Sequence, residues 1–313
     1  MSVRVLALCG GIGGAKLALG LHTLLPSGHL TVVANTGDDF EHLGLCISPD
    51  VDTVLYTLAG IANPQTGWGR AEETWHFMAE VERLGGPTWF QLGDKDLATH
   101  VERTRRRLNG ERLHEIIGDF SRRFGLAGTV VLPMSDDRVR TIVHTDSGKL
   151  GFQDYFVARH CAPTVQHITY EGAEQAHSAG TVLQQLAEGS FDAVIICPSN
   201  PYLSIQPLLA IPEWRSALQR SPAPVIAISP IIAGTAVKGP TAKIMRELGV
   251  DVSAVAIARH YDDLIDGFVL DEADESCVAQ LTVRAITTRT LMHTLADKQS
   301  LAQRVLQFAA ALR

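Results

Sequence analysis

The amino-acid sequence predicts an α/β fold: a Rossmann-like, doubly wound, mostly parallel sheet with a largely helical insert and a β-hairpin. Three observations carry that expectation. The chain opens as strand, glycine turn, helix and strand, which is a βαβ unit. Short apolar runs that end in polar loops return after residue 190. Between them, residues from about 70 to 125 show repeated amphipathic spacing and few β-branched runs, as helices do. The 313 residues are read as one domain, 1–313, with an insert at about 65–160 covering the active site.

Val3 to Leu8 (VRVLAL) reads as a buried strand, because it is short, β-rich and followed by glycines. Ala15 to Leu25 carries leucines at helical spacing and stops at Pro26-Ser27-Gly28. Leu30 to Asn35 is the second strand. Arg138 to His144 and Leu150 to Val157, joined by a turn containing Asp146-Ser147-Gly148, read as the hairpin. Ala193 to Cys197, Val225 to Ser229 and Val252 to Ala258 are read as further strands, and Arg289 to Arg313 as a closing helix.

Hydrophobic residues make up 46% and charged residues 19%, enough to build a core and too ordered a balance for a disordered chain. The formal net charge of −7 argues against nucleic-acid binding, which needs a basic footprint. The one basic cluster, Arg103 to Arg107, reads as the solvated end of a helix. No apolar run reaches the length needed to span a bilayer. Val5 to Cys9 is read as a first strand rather than a secretory core, so the start is expected to be retained. Five scattered cysteines without metal spacing fit a reducing, cytoplasmic setting.

Ligands of open parallel sheets bind beyond the carboxyl ends of the strands, so the loops there are the places to look for chemistry. After the first strand come Gly10, Gly11, Gly13, Gly14 and Lys16. Glycines let backbone N–H groups approach a phosphate, and the next helix offers its positive end. The pattern is neither the dinucleotide fingerprint nor a Walker loop, and a tight turn without a ligand is the plainer alternative. After the second strand, Asp38, Asp39, Asp50 and Asp52 fall close together and suit a hard cation such as Mg²⁺. Asp50 by itself reads better as a cap for a helix starting near Thr53.

A third constellation, Asp94-Lys95-Asp96 with His100 one turn on, opens a helix. Capping by Asp94 and a surface lysine is the competing account. Further loops are Pro133 to Arg138 and Cys197-Pro198-Ser199-Asn200-Pro201, where Ser199 and Asn200 can present acceptors and amide donors. Lys238 and Lys243 suit either phosphate contact or solvent. Trp68, between Gly67 and Gly69, suits either ligand stacking or a plain loop. The remaining lone histidines read as structural or surface residues. No nucleophile elbow, zinc motif or Ser/His/Asp order is present, which removes support for nucleophilic hydrolysis.

The ordered set GGIGGAKL, NTGDD, SPDVDTVLY, GWG, LGDKDLATH, LPMSDDRV, FQDYFV, PSNPYLSI and SPIIAGTAVKGP closely resembles the 2-phospho-L-lactate transferase family (CofD/FbiA) of coenzyme F420 biosynthesis. The resemblance implies Mg²⁺-dependent transfer of a phospholactyl, phosphoenolpyruvyl or phosphoglyceryl group. The donor would be a guanosine diphosphodiester and the acceptor the ribityl hydroxyl of the deazaflavin Fo, with GMP released. It implies that Asp52 and Lys95 are catalytic and that Asp52, Lys95, Trp68 and His100 contact Fo. The nucleotide and its diphosphate would lie against Gly10, Gly11, Gly13, Gly14, Lys16, Ser199 and Asn200, and Asp39 and Asp52 would hold Mg²⁺. The family commonly has arginine where this chain has Lys95, which keeps the charge and loses the planar fork. Non-catalytic nucleotide-sugar-binding regulators of the YvcK type share the glycine start and an Asp-Asp, and form the alternative. A homodimer is the default assembly.

Overall fold

In the computed structural model, which describes residues 3–313, seven parallel strands form the central sheet. They are β1 (Val5–Cys9), β2 (Leu30–Ala34), β3 (Thr129–Pro133), β4 (Ala193–Ile196), β5 (Val225–Ile228), β6 (Gly267–Leu270) and β7 (Arg284–Thr287). Their order across the sheet is β7-β6-β5-β4-β1-β2-β3, the doubly wound arrangement that the opening βαβ unit predicts. The order reverses between β1 and β4, which pair in parallel from Val5↔Ala193 to Leu8↔Ile196.

β1 is buried along its whole length because both faces of the sheet are covered. Val5, Ala7 and Cys9 point into one core with helix α1 (Gly11–Leu24), helix α2 (Pro49–Leu58) and the C-terminal helix Leu295–Leu312. Leu6 and Leu8 point into the other, around Trp214 and Tyr261. Helices α3 (His76–Arg83), α4 (Asp94–Leu108) and α5 (Leu113–Arg123) occupy the region read as helical. β3 follows them directly, so a core strand runs through the stretch 65–160.

Three sequence readings are corrected. Val252 to Ala258 is not a strand: Ser253 caps a helix, Ala254–His260, by accepting from the Ala256 N–H at 3.1 Å. Its three alanines suit a buried helix, and the sheet position belongs to the short run Gly267–Leu270. The hairpin's second arm ends at Gly151, and Asp154–Ala158 form a helical turn. The first arm, Arg140–Thr145, also pairs on its other side with Val165–Glu171, giving a three-stranded antiparallel sheet. The closing helix starts at Leu295 with Thr294 as its cap. Among the described residues no helix is long and apolar enough to cross a membrane.

Candidate functional site

The glycine segment is not a loop: α1 begins at Gly11, whose φ of +64° suits glycine alone. A Cβ at Gly13 would lie 2.3 Å from the Pro198 carbonyl oxygen, and one at Gly14 2.7 Å from Ser199 Oγ. The glycines therefore let the helix start press against the loop after β4, across the reversal in strand order. Gly10 N–H donates to Ser199 Oγ (3.2 Å) and Gly11 N–H to Asp50 Oδ1 (2.7 Å). The first-turn amides of Ile12 and Gly13 have no partner within the helix. Asn200 accepts the N–H groups of Tyr202 and Leu203, while its Nδ2 is buried without a partner. Lys16 donates to the Met292 carbonyl at 2.8 Å, and its pKa is lowered by burial and by Lys238 and Lys298 nearby. Trp68 stands half exposed beside this helix start: Gly67 packs on Ile12, and Lys238 Nζ lies 3.3 Å from the Thr66 carbonyl.

The acidic corner lies one strand away. α2 begins at Pro49, so Asp50 sits inside its first turn and does not cap it, contrary to the sequence reading. Instead Asp50 receives Gly11 N–H and, at 2.9 Å, the Asn35 side-chain amide, fastening the loops after β1 and β2 together. Ser48, in the cap position, donates its hydroxyl to Asp39 Oδ2 at 2.7 Å rather than to the helix. Asp38 Oδ1, Asp39 Oδ1 and Asp52 Oδ2 are buried with no hydrogen-bond partner among the described residues. Burial is the first cause that raises all four carboxyls above their ordinary range: Asp39 to about 7, Asp50 to about 6, Asp38 well above and Asp52 upward. Repulsion adds to it at Asp38, from Asp50 and Asp39, at Asp39, from Asp52, and at Asp52, from Asp96 on α4. Three of the four, Asp38, Asp39 and Asp52, keep an orphaned oxygen, the kind of donor a hard divalent cation takes, while both oxygens of Asp50 are engaged.

Helix α4 brings the third constellation in from the side. Asp94 accepts from Thr74 Oγ1, His76 N–H and Phe77 N–H, while Glu73 accepts the N–H groups of Lys95 and Asp96. Two helix starts thus cap each other. Lys95 Nζ lies 3.4 Å from the Ala71 carbonyl and 3.6 Å from Glu72, with its side chain 43% exposed. His100 is buried within α4 and does not face solvent.

Arg103 departs from the reading of residues 103–107 as a solvated helix end: it is fully buried, whereas Arg105 in the last turn is exposed as expected. Its guanidinium donates to Asp52 Oδ1, to the Cys46 carbonyl (3.2 Å) and to His100 Nδ1 (3.2 Å). A guanidinium only donates, so His100 Nδ1 accepts and the ring proton sits on Nε2, 3.3 Å from Asp96 Oδ2. Tyr56 donates to the other Asp96 oxygen at 2.7 Å. Asp52, Asp96 and His100 offer ligand atoms within 4.8 Å of one another, but Arg103 already supplies the positive charge there. The spacing Asp96, His100, Arg103 (i, i+4, i+7) is the helical-face signal that would have found this arginine.

A cleft of about 320 Å³ opens between the loop after β2 and the antiparallel sheet. Asp38, Asp39, Phe40, Trp89, Arg140 and Phe152 contribute to its lining. Phe40 packs edge-on against Phe90, with ring centroids 4.8 Å apart, and against Trp89 at 5.9 Å. Neither Trp68, Lys95 nor His100 lines the cleft. Phe40, Trp89 and Arg140 were not named as site residues from the sequence, although Trp89 lies three residues before the LGDKD motif and Arg140 directly follows LPMSDDRV.

Comparison with known proteins adds an independent line. The family model described as 2-phospho-L-lactate transferase CofD matches residues 5–304. A phosphoenolpyruvate transferase of Kitasatospora aureofaciens is 42% identical over 308 residues, covering 96% of this chain and 95% of that protein. A 2-phospho-L-lactate transferase of Methanococcoides burtonii is 39% identical over 304 residues, covering 96% and 98%. Among solved structures, a UPF0052 family protein of Bacillus halodurans superimposes with a TM-score of 0.63 at 15% identity, over 98% of this chain and 99% of that one. At that identity the likeness is one of fold.

Proposed function

Given that the chain belongs to the 2-phospho-L-lactate transferase CofD family and is a transferase, we propose that it acts in coenzyme F420 biosynthesis. It moves a 2-phospholactyl-type group from a guanosine diphosphodiester to the terminal ribityl hydroxyl of Fo. The hydroxyl oxygen forms a bond to the phosphorus that carries the acid, the anhydride bond to GMP breaks, and the hydroxyl proton is lost to the site or to solvent. The observation that carries this reading is the pairing of a glycine-built helix start with buried, unpartnered carboxylate oxygens on the neighbouring strand's loop.

Each residue group has a task in this scheme. Gly10 to Gly14 and the Ser199-Asn200 loop receive the guanosine diphosphate, with Lys16 as a nearby cation. Asp39 and Asp52, with Asp38 beside them, would hold Mg²⁺, which neutralises charge at a transferring phosphorus. Arg103 holds Asp52 Oδ1 and leaves Oδ2 free for a ligand or for the acceptor hydroxyl. The aromatic walls of the cleft suit the flat deazaflavin ring. Lys95 and Trp68, both solvent-facing, approach the substrates from the rim. Five free cysteines accord with a cytoplasmic enzyme.

The test is mass spectrometry of a single reaction holding Fo, Mg²⁺ and the guanylylated lactyl, enolpyruvyl and glyceryl donors. One of the three product masses, with stoichiometric GMP, is the expected result and names the preferred acid. Absence of both product and GMP, with Fo and nucleotide bound, would overturn the reading.

A further inference from the structure

Arg140 has no evident partner for its charge. Its side chain lines the cleft and is half buried, and its one side-chain hydrogen bond runs to its neighbour's carbonyl, Val139, at 2.8 Å. No carboxylate of the described residues comes within ion-pair distance, although Asp39 is close enough to be felt. A desolvated guanidinium is costly unless an anion meets it, and its fork is shaped for a carboxylate or a phosphate. The remaining donors of Arg140 are open to the cleft rather than sealed in the protein.

We propose that Arg140 is the receptor for the carboxylate of the transferred 2-phospho acid, and so determines that the enzyme takes acids rather than neutral analogues. The inference rests on the transfer reaction above. In every such donor the carboxyl carbon lies three bonds from the phosphorus, so the carboxylate must be met very near the reacting centre. Of the two guanidiniums felt by Asp39, Arg103 is sealed against Asp52, and Arg140 is the one that lines the cleft, beside Thr141 and Ile142. Gln153, held with its amide toward the Asp38 carbonyl at 3.5 Å, closes the other side. Arg138 lines the same cleft and is exposed, so it adds a long-range field and not a desolvated contact.

The experiment compares kcat/KM for the guanylylated donor that the wild-type enzyme uses best with kcat/KM for the same donor bearing a carboxamide in place of the carboxylate. Wild type, R140Q and R140K are assayed, and GDP affinity is measured for each by calorimetry. Wild type should favour the carboxylate by roughly ten- to a hundredfold, as a charge-assisted bond commands. R140Q should bring the two donors to within about threefold, R140K should fall between, and GDP affinity should hold in all three, which also reports an intact fold. A carboxylate preference that survives in R140Q would overturn the proposal. So would an equal loss on both donors, or a loss of GDP affinity, since Arg140 would then serve the diphosphate or the acceptor. Failure of wild type to transfer from either donor while still binding GDP would sink the transferase reading itself, and this inference with it.

Discussion

Two carboxylate-rich stretches, Asp38 to Asp52 and Asp94 to Asp96, look alike as sequence and behave oppositely in the folded chain. At Asp94 every approach is met: one hydroxyl and two backbone N–H groups hold the carboxylate, and the Thr74 hydroxyl and Phe77 amide lower its pKa. At Asp39 one oxygen takes a serine hydroxyl, the other is buried with nothing, and the carboxyl rises to about 7. The difference is hydrogen-bond satisfaction, not residue type. A satisfied carboxylate near a helix start is scaffolding, whereas a crowded, desolvated and unsatisfied one is held for a ligand.

The sharpest way to break this contrast is Asp39→Asn. Transfer should fall about a thousandfold, on the scale of losing one preorganised electrostatic contact in a reaction site, with an unchanged circular dichroism spectrum. The same variant tests the titration. A carboxyl whose folded pKa is about 7 binds its proton more tightly in the folded chain than in the unfolded one. Its favourable contribution is therefore largest at acidic pH and is lost as pH rises toward 7. The metal-free wild type should melt at lower temperature at pH 8 than at pH 5, Asp39→Asn should flatten that slope, and Mg²⁺ should restore the wild type at pH 8.

Next in size is Arg103→Met, which tests the buried charge that ties α4 to Asp52 of the first stretch. Removing half of a buried ion pair costs about 3–5 kcal/mol, and chemical denaturation would read it. Arg103→Met combined with Asp52→Asn should be more stable than Arg103→Met alone, because no charge is then left stranded. Lys95→Met should lower kcat/KM by no more than about tenfold, as suits an exposed cation. A loss of several hundredfold would place Lys95 against the reacting atoms and erase the contrast between the stretches. The smallest effect belongs to Asp94→Ala: a melting temperature a few degrees lower, with activity per folded molecule unchanged.

The parts of the molecule legible in the sequence were those governed by local pattern. The βαβ opening, the strands near 193 and 225 and the final helix all follow from apolar runs bounded by glycine, proline or polar loops. Gly267–Leu270 and Arg284–Thr287 escaped because four residues are too few for periodicity to separate strand from helix. Val252 to Ala258 misled for the converse reason, since a short buried helix is as apolar as a central strand. In the site, the glycines and aspartates were visible as types, but their partners were not. That Gly13 faces Pro198, that Asp50 ties two loops, and that Arg103 lies under Asp52 depend on contacts between residues 15 to 185 positions apart. Arg140 was overlooked because a single arginine in a strand carries no signal until its lack of a partner is seen.

Arg103 has one further consequence, a kinetic one. Its guanidinium spans from α4 to the first turn of α2, so α4 cannot lift away from α2 without leaving a charge stranded in buried surroundings. Small openings that expose the start of α2 are thereby suppressed, and its amides should exchange with solvent only when the whole domain unfolds. In hydrogen-exchange terms the first turn of α2 belongs with the central strands, while the exposed segment around Trp68 exchanges far sooner.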